Sequence, residues 1–250
     1  MAEQHFHEQQ LFAEKYLIPL LERHIPDFRQ KRVLEVGCAE AGLLDYLQKL
    51  GMKELTGIEL EASRVEIARK YNATLDVRVG DITDQTLPEK ISGRFDVIIM
   101  RDVIEHVPNR ESTFRVLWEL LQPGGYLFIT FPPRFSPFAG HQQHARSFLK
   151  HTPYVSLLPE FLWRRMGRWL GEPEEFLDSV MLNYRIGLSI RQFEKFYRRQ
   201  GFVPVLKDLF LLRPIFKYRM GLPIIKFPNI PFFREFKTTG CEYLLRKPTD

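Results

Sequence analysis

Cysteine is almost missing from this chain of 250 residues: Cys38 and Cys241 stand alone. Two thiols cannot build a disulfide-stapled secreted scaffold or a four-thiolate zinc site, and they suit a reducing, cytoplasmic setting. Neither has a Cys or His neighbour at metal or nucleophile spacing, so both read as structural and no metal is expected. Long apolar runs are lacking too. The longest, such as Val97 to Met100, are strand-sized rather than the roughly 20 residues that cross a bilayer. Glu3, Glu8, Glu14, Lys15, Glu22 and Arg23 interrupt the first thirty residues in a way a signal peptide does not allow. A serine nucleophile elbow, a Walker loop and an HExxH pair are also absent, which argues against serine hydrolases, P-loop NTPases and zincins.

Charge is unevenly spread. Residues 1–131 hold 16 basic and 21 acidic side chains, a net of −5, whereas residues 132–250 hold 20 and 10, a net of +10. A basic second half suits a solvated face, a phosphate-bearing substrate, an anionic membrane surface or nucleic acid.

What is present is alternation. A helical pattern over residues 6–24 ends near Pro26. Short apolar runs at Arg32 to Val36, Glu54 to Leu60, Ala73 to Val79, Phe95 to Met100 and Tyr126 to Phe131 then read as strands, separated by amphipathic stretches of helical period. FDVIIM at 95–100 is too apolar for a strand wetted on one face and belongs inside a parallel sheet. The pattern predicts an α/β, doubly wound, Rossmann-like sheet with ligands at the carboxyl ends of the strands. Residues 134–186 read as a helical lid insert. Ser189 and Gln192 form a capping-box start where the core resumes, followed by strands at Phe202 to Phe210 and Thr239 to Leu245, for seven in all. Between those two strands lies a basic, aromatic insert, 211–238, in which Glu235 is the lone acid. The expected organisation is an N-terminal helix at 1–29, a core at 30–133 and 187–250, the 134–186 lid, and the 211–238 insert within the core.

The chemistry gathers at the first strand's end. Val33-Leu34-Glu35-Val36-Gly37-Cys38-Ala39-Glu40-Ala41-Gly42 opens a strand through a turn of small residues into a helix, whose N-terminus offers unpaired N–H donors. Glu59, 22 positions after Gly37 at the end of the next strand, is placed to accept hydrogen bonds from both hydroxyls of an adenosine ribose. The dinucleotide fingerprint requires a third-position glycine where this chain has Ala39, which leaves an NAD(P)-binding oxidoreductase as the alternative.

These motifs resemble the class I S-adenosylmethionine-dependent methyltransferases, in particular the small-molecule, type 11 branch that includes ubiquinone-biosynthesis enzymes. The resemblance covers roughly residues 30–133. It rests on VLEVGCAEAG at 33–42, Gly57-Ile58-Glu59, Gly80-Asp81-Ile82, FDVIIMRDVIEHVPN at 95–109 and LLQPGGYLFITFPP at 120–133. It implies S-adenosyl-L-methionine as cofactor and methyl transfer to a small-molecule, lipid-linked or glycan acceptor, with oxygen as the expected atom. It also implies that Glu35 and the turn of Gly37, Ala39 and Gly42 hold the amino-acid end, that Glu59 with Leu60 meets the ribose, that Asp81 and Ile82 flank the adenine, and that Met100 and Arg101 border the sulfonium. The family usually has glycine at the positions of Ala39 and Ala41. The Asn/Asp-Pro-Pro-aromatic signature of amino-methylating nucleic-acid enzymes is lacking after Met100, which disfavours nucleic acid as acceptor.

Asp102, Glu105 and His106 have two readings. In one, Asp102 caps a short helix with Glu105 at its third position. In the other, His106 faces the acceptor and takes a proton from an attacking hydroxyl. The two inserts, aromatic and basic, are expected to roof an acceptor with an apolar body and an anionic head, with His141, Gln142, His144 and Arg146 as polar contacts. A peripheral contact with an anionic membrane, or a non-catalytic cofactor-binding module, fits the same composition.

Overall fold

A helical arm opens the computed structural model, which describes residues 2–249, with Gly140 and His141 given by backbone alone. Helix α1 (Ala2–Phe12) passes through a π-helical turn, Ala13–Leu17, into α2 (Ile18–His24). The π turn has a local cause. Pro19 has no N–H, so the Lys15 carbonyl one turn back loses its helical donor; the Ile18 N–H reaches Ala13 O instead.

Strand β1 (Val33–Val36) leads to α3 (Gly42–Lys49), β2 (Leu55–Glu59) to α4 (Ala62–Tyr71), and β3 (Asp76–Val79) to α5 (Leu87–Lys90). Strand β4 (Phe95–Arg101) is followed by α6 (Arg110–Leu120) and β5 (Leu121–Phe131). The Pro123-Gly124-Gly125 stretch, which reads as a helix-to-strand break, lies inside β5; the register slips there from Phe95↔Leu121 to Val97↔Tyr126. Beyond it come α7 (Glu160–Trp169), α8 (Glu174–Ile186), α9 (Ile190–Gln200) and β6 (Val203–Leu212). The chain closes with α10 (Pro214–Met220), β7 (Ile225–Lys226), α11 (Phe233–Lys237) and β8 (Gly240–Arg246). The capping box of Ser189 and Gln192 forms at the start of α9.

The strand order is β3-β2-β1-β4-β5-β8-β6-β7. The first five strands run parallel, and β8 is antiparallel to β5 and to β6. The sheet has eight strands where the sequence suggests seven. The additional one, β7, is two residues of the 211–238 segment that pair with Phe210 and Leu212 and so cover the open edge of β6.

Alternate residues of the central strands feed opposite faces, as the period of two requires. Val33, Val97, Ile99, Phe128 and Leu244 pack under the helical arm and α3. Leu34, Ile98, Met100, Leu127, Ile129 and Phe131 pack under α6 and α9. Residues 134–186 build a separate small core around Trp163, Leu177 and Val180. Among the described residues no helix is long and apolar enough to cross a membrane.

Candidate functional site

The sheet reverses its winding between β1 and β4, and a cleft of about 760 Å³ opens there at the strands' carboxyl ends. Its lining draws on the turns after β1, β2, β3 and β4, on α1, and on the start of α10.

The turn after β1 is tight. Gly37 has φ +70°, and a Cβ there would lie 2.4 Å from Val103 Cγ2. Ala39 and Ala41 also take left-handed backbone, at φ +51° and +61°, a conformation that costs a residue with a Cβ roughly 1–2 kcal/mol. Glu59 helps hold this turn. Its Oε2 accepts from the Ala39 N–H at 2.9 Å and its Oε1 from the Glu61 N–H at 3.1 Å, which fixes a buried carboxylate at the cleft wall with lone pairs to spare. Leu60, 65% exposed, and Ile82 flank the same region. Asp81 anchors its own loop by accepting from the Thr83 N–H at 2.8 Å.

Glu35 and Arg101 form a pair at the cleft floor. Arg101 Nη2 donates to Glu35 Oε1 at 2.9 Å; Arg101 lines the cleft while Glu35 is 1% exposed behind it. Burial raises the Glu35 carboxyl to about 7 against the lowering pull of Arg101. One atom of each remains unsatisfied by protein: Glu35 Oε2 and Arg101 Nε. Both atoms are closed to solvent, and of the pair Arg101 lines the cleft.

Two residues of the expected set face elsewhere. Met100 is fully buried in the core beneath α6, because its strand position points away from the cleft-side row. Gly42 serves α1 rather than the cleft: a Cβ there would lie 2.4 Å from Phe6 O, and the Gly42 N–H donates to Gln9 Oε1 at 2.8 Å.

Asp102, just beyond β4, has φ +52°. It does not cap the short helical turn Ile104–His106. Its Oδ1 accepts from Thr130 Oγ1 at 3.2 Å, and its Oδ2 pairs with Arg213 Nη2 at 2.5 Å. Burial alone would raise the Asp102 carboxyl, but Arg213 outweighs it and holds it below the usual range. Glu105 is pushed well above that range by burial and then by the Asp102 charge. His106 lines the cleft with its side chain 39% exposed. Burial lowers its pKa, against Asp102 and a hydrogen bond with Asn183, which leaves the ring neutral at pH 7.

Of the polar contacts expected from the lid segment, Gln142, His144 and Arg146 are not among the cleft-lining residues. Gln142 is buried and donates to Leu149 O at 3.1 Å and Thr152 O at 2.6 Å, tying together its own loop. The Arg146 N–H donates to Glu172 at 3.2 Å, and Arg146 and His144 are exposed away from the lining residues. The side chain of His141 lies outside the described residues. Among the described residues none of the cleft lining comes from 134–186; this side of the cleft is lined by α1 and by the start of α10, which belongs to the 211–238 insert.

Those helices bring residues that the sequence did not single out. Arg213, Pro214, Ile215 and Arg219 stand opposite His5, Glu8, Gln9 and Phe12. Phe12 and Tyr218 meet edge to face at 5.8 Å, Arg219 Nε pairs with Glu8 at 2.9 Å, and Tyr218 Oη donates to the Lys15 carbonyl at 3.2 Å. That carbonyl is the one Pro19 deprives of a donor. Behind them Glu242 of β8 lines the cleft, and Tyr16 Oη donates to its Oε2 at 2.8 Å. Burial raises the Glu242 carboxyl to about 7, with Tyr16 and Arg213 opposing and Asp208 and Asp102 assisting.

Residues 6–172 match the family model described as a methyltransferase domain. A ubiquinone biosynthesis O-methyltransferase of Nitrosococcus oceani is 36% identical over 102 residues, 40% of this chain and 43% of the relative. One from Pseudomonas aeruginosa is 31% identical over 102 residues, 40% and 44% of the two chains. The matched stretch thus spans less than half the length of these curated relatives. Among solved structures, an S-adenosylmethionine-dependent methyltransferase from Mesorhizobium loti superposes with a TM-score of 0.57 at 12% identity, covering 91% of this chain and 96% of the other. One from Methanosarcina mazei gives 0.57 at 14% identity, covering 93% and 98%. Similarity at that level establishes the fold.

Proposed function

Because the chain belongs to the methyltransferase-domain family, we propose that it is an S-adenosylmethionine-dependent methyltransferase acting on a small-molecule or lipid-linked acceptor, at oxygen. One observation carries the reading: the cleft at the β1–β4 reversal presents, in order, groups complementary to each part of that cofactor. The Glu59 carboxylate is held for a ribose diol, with Leu60, Asp81 and Ile82 beyond it for the adenine. The turn of Gly37 and Ala39, with Arg101 held by Glu35 behind it, suits a zwitterionic tail.

When bound, the cofactor supplies a methyl group already activated on a sulfonium. The chain's work is to bind, orient and exclude water, effects that account for much of such a displacement. Arg101, steadied by Glu35, would hold the carboxylate of the tail, beside a turn that Gly37 keeps clear of Val103. His106, neutral and on the cleft wall, is one group able to accept a proton at pH 7. The ubiquinone O-methyltransferase relatives support an O-linked, lipid-like acceptor. Exposed Met220, Ile230, Phe232 and Phe233, in the same 211–238 segment as Lys217 and Arg219, suit an acceptor with a long apolar body.

The test is a pair of titrations, one with S-adenosylhomocysteine and one with NADH. Saturable binding of the first and none of the second is expected. Tight NADH binding without S-adenosylhomocysteine binding would return the chain to the oxidoreductases.

A further inference from the structure

Among the described residues Glu242 is the cleft carboxylate with neither a salt-bridged cation nor a backbone N–H donor; Arg213 acts on it through its charge alone. Glu8 is held by Arg219, Glu61 by Arg64, and Asp102 by Arg213. Glu59 and Asp81 accept from backbone amides. Among the described residues Glu242 has the Tyr16 hydroxyl on Oε2 and no hydrogen-bond partner on Oε1, although the residue is only 4% exposed and lines the cleft.

Its place in the sheet is equally specific. Arg101, Thr130, Glu242 and Asp208 are register partners across β4, β5, β8 and β6, so they share one face. Glu242 stands two strands from the end of β4, a gap of about 10 Å that accommodates one small ring. The side chain that orients it comes from the π turn Ala13–Leu17, a feature that recurs at functional sites.

We infer that Glu242, oriented by Tyr16, is the acceptor subsite: it receives the hydroxyl of the methyl acceptor and takes its proton during transfer. This deepens the methyltransferase reading and rests on it. As the acceptor oxygen bonds to the methyl carbon, the sulfur–methyl bond breaks and its electron pair stays on sulfur. The O–H proton passes to Glu242 Oε1 and later to water, so a sulfonium and a carboxylate become a thioether and a carboxylic acid. A hydroxyl suits the subsite better than an ammonium, which would meet the guanidinium groups of Arg101 and Arg213. The charged or titratable groups facing Glu242 are Tyr16 from the helical arm, Arg213 before α10, Asp102 after β4 and Asp208 of β6. Their balance leaves a carboxyl that ionises at about 7, a basicity suited to phenol-type hydroxyls at neutral pH.

Catechol is the probe. With S-adenosylhomocysteine bound first, the wild-type chain should take up catechol, and Glu242→Gln should lose about tenfold or more in catechol affinity, the loss of one hydrogen bond to a charged group, while its S-adenosylhomocysteine affinity stays within about twofold. Methyl incorporation into catechol should rise with pH through about 7. In Tyr16→Phe, which removes a hydrogen bond that lowers the Glu242 pKa, the rise should move to higher pH. Failure to bind S-adenosylhomocysteine overturns the methyltransferase reading itself. The subsite alone is overturned if that ligand binds but catechol does not, if Glu242→Gln binds catechol as the wild type does, or if Tyr16→Phe leaves the pH profile unmoved.

Discussion

The two long segments outside the regular α/β repeat, 134–186 and 211–238, are both rich in aromatic residues, yet they have opposite relations to the cleft. The first turns inward on itself. Trp163 is fully buried, its indole N–H donating to Leu177 O at 3.4 Å, and the surrounding apolar side chains form a core of their own. The second buries little within itself. It closes the edge of β6 with β7 and sets α10 against α1, so that Arg213 and Arg219 form the far wall of the cleft. Aromatic content therefore does not tell a roof from a satellite core. What separates them is whether a segment can satisfy its apolar surface alone.

The sharpest way to break this comparison is Trp163→Ala. Emptying that satellite core should cost about 3–5 kcal/mol of local stability, read by urea denaturation, with S-adenosylhomocysteine affinity unchanged because no described residue of the segment lines the cleft. A parallel loss of affinity would make the first segment part of the site.

A smaller effect sharpens the other side. The Glu242 pKa is raised to about 7 from an ordinary 4.5, so the folded chain holds this proton more tightly than the unfolded chain. The group's contribution to stability is fully present below pH 4.5, declines as pH rises, and becomes a constant penalty above pH 7. Glu242→Gln should therefore gain up to about 3 kcal/mol relative to wild type between acid and mildly alkaline pH, measured as the difference in denaturation midpoints. A difference independent of pH would remove the basic carboxyl.

The parts of the site legible in the sequence are those whose geometry is local. Gly37 and Glu59 sit at the ends of neighbouring strands, and a strand–turn–helix pattern places both. Gly42 shows that a small residue is needed without showing what approaches it; the structure gives Phe6 of α1. Met100 and Arg101 are adjacent in sequence, but the alternation of β4 sends one into the core and the other to the cleft. Tyr16 and Glu242 are 226 residues apart and meet only because β8 inserts between β5 and β6 beneath the helical arm. The one local hint was Pro19, whose missing N–H allows the π turn that aims Tyr16. Helix α8 went unread, its apolar positions Leu177, Val180 and Met181 serving the satellite core rather than the main one.

The central claim is that Glu59 clasps the ribose of an adenosine-bearing cofactor. Calorimetric titration of wild type and Glu59→Ala with S-adenosylhomocysteine tests it most directly. Binding by the wild type and a loss of about 1.5–3 kcal/mol in the variant is the expected result, the range for hydrogen bonds to a charged group. Equal affinity in the two proteins would contradict it.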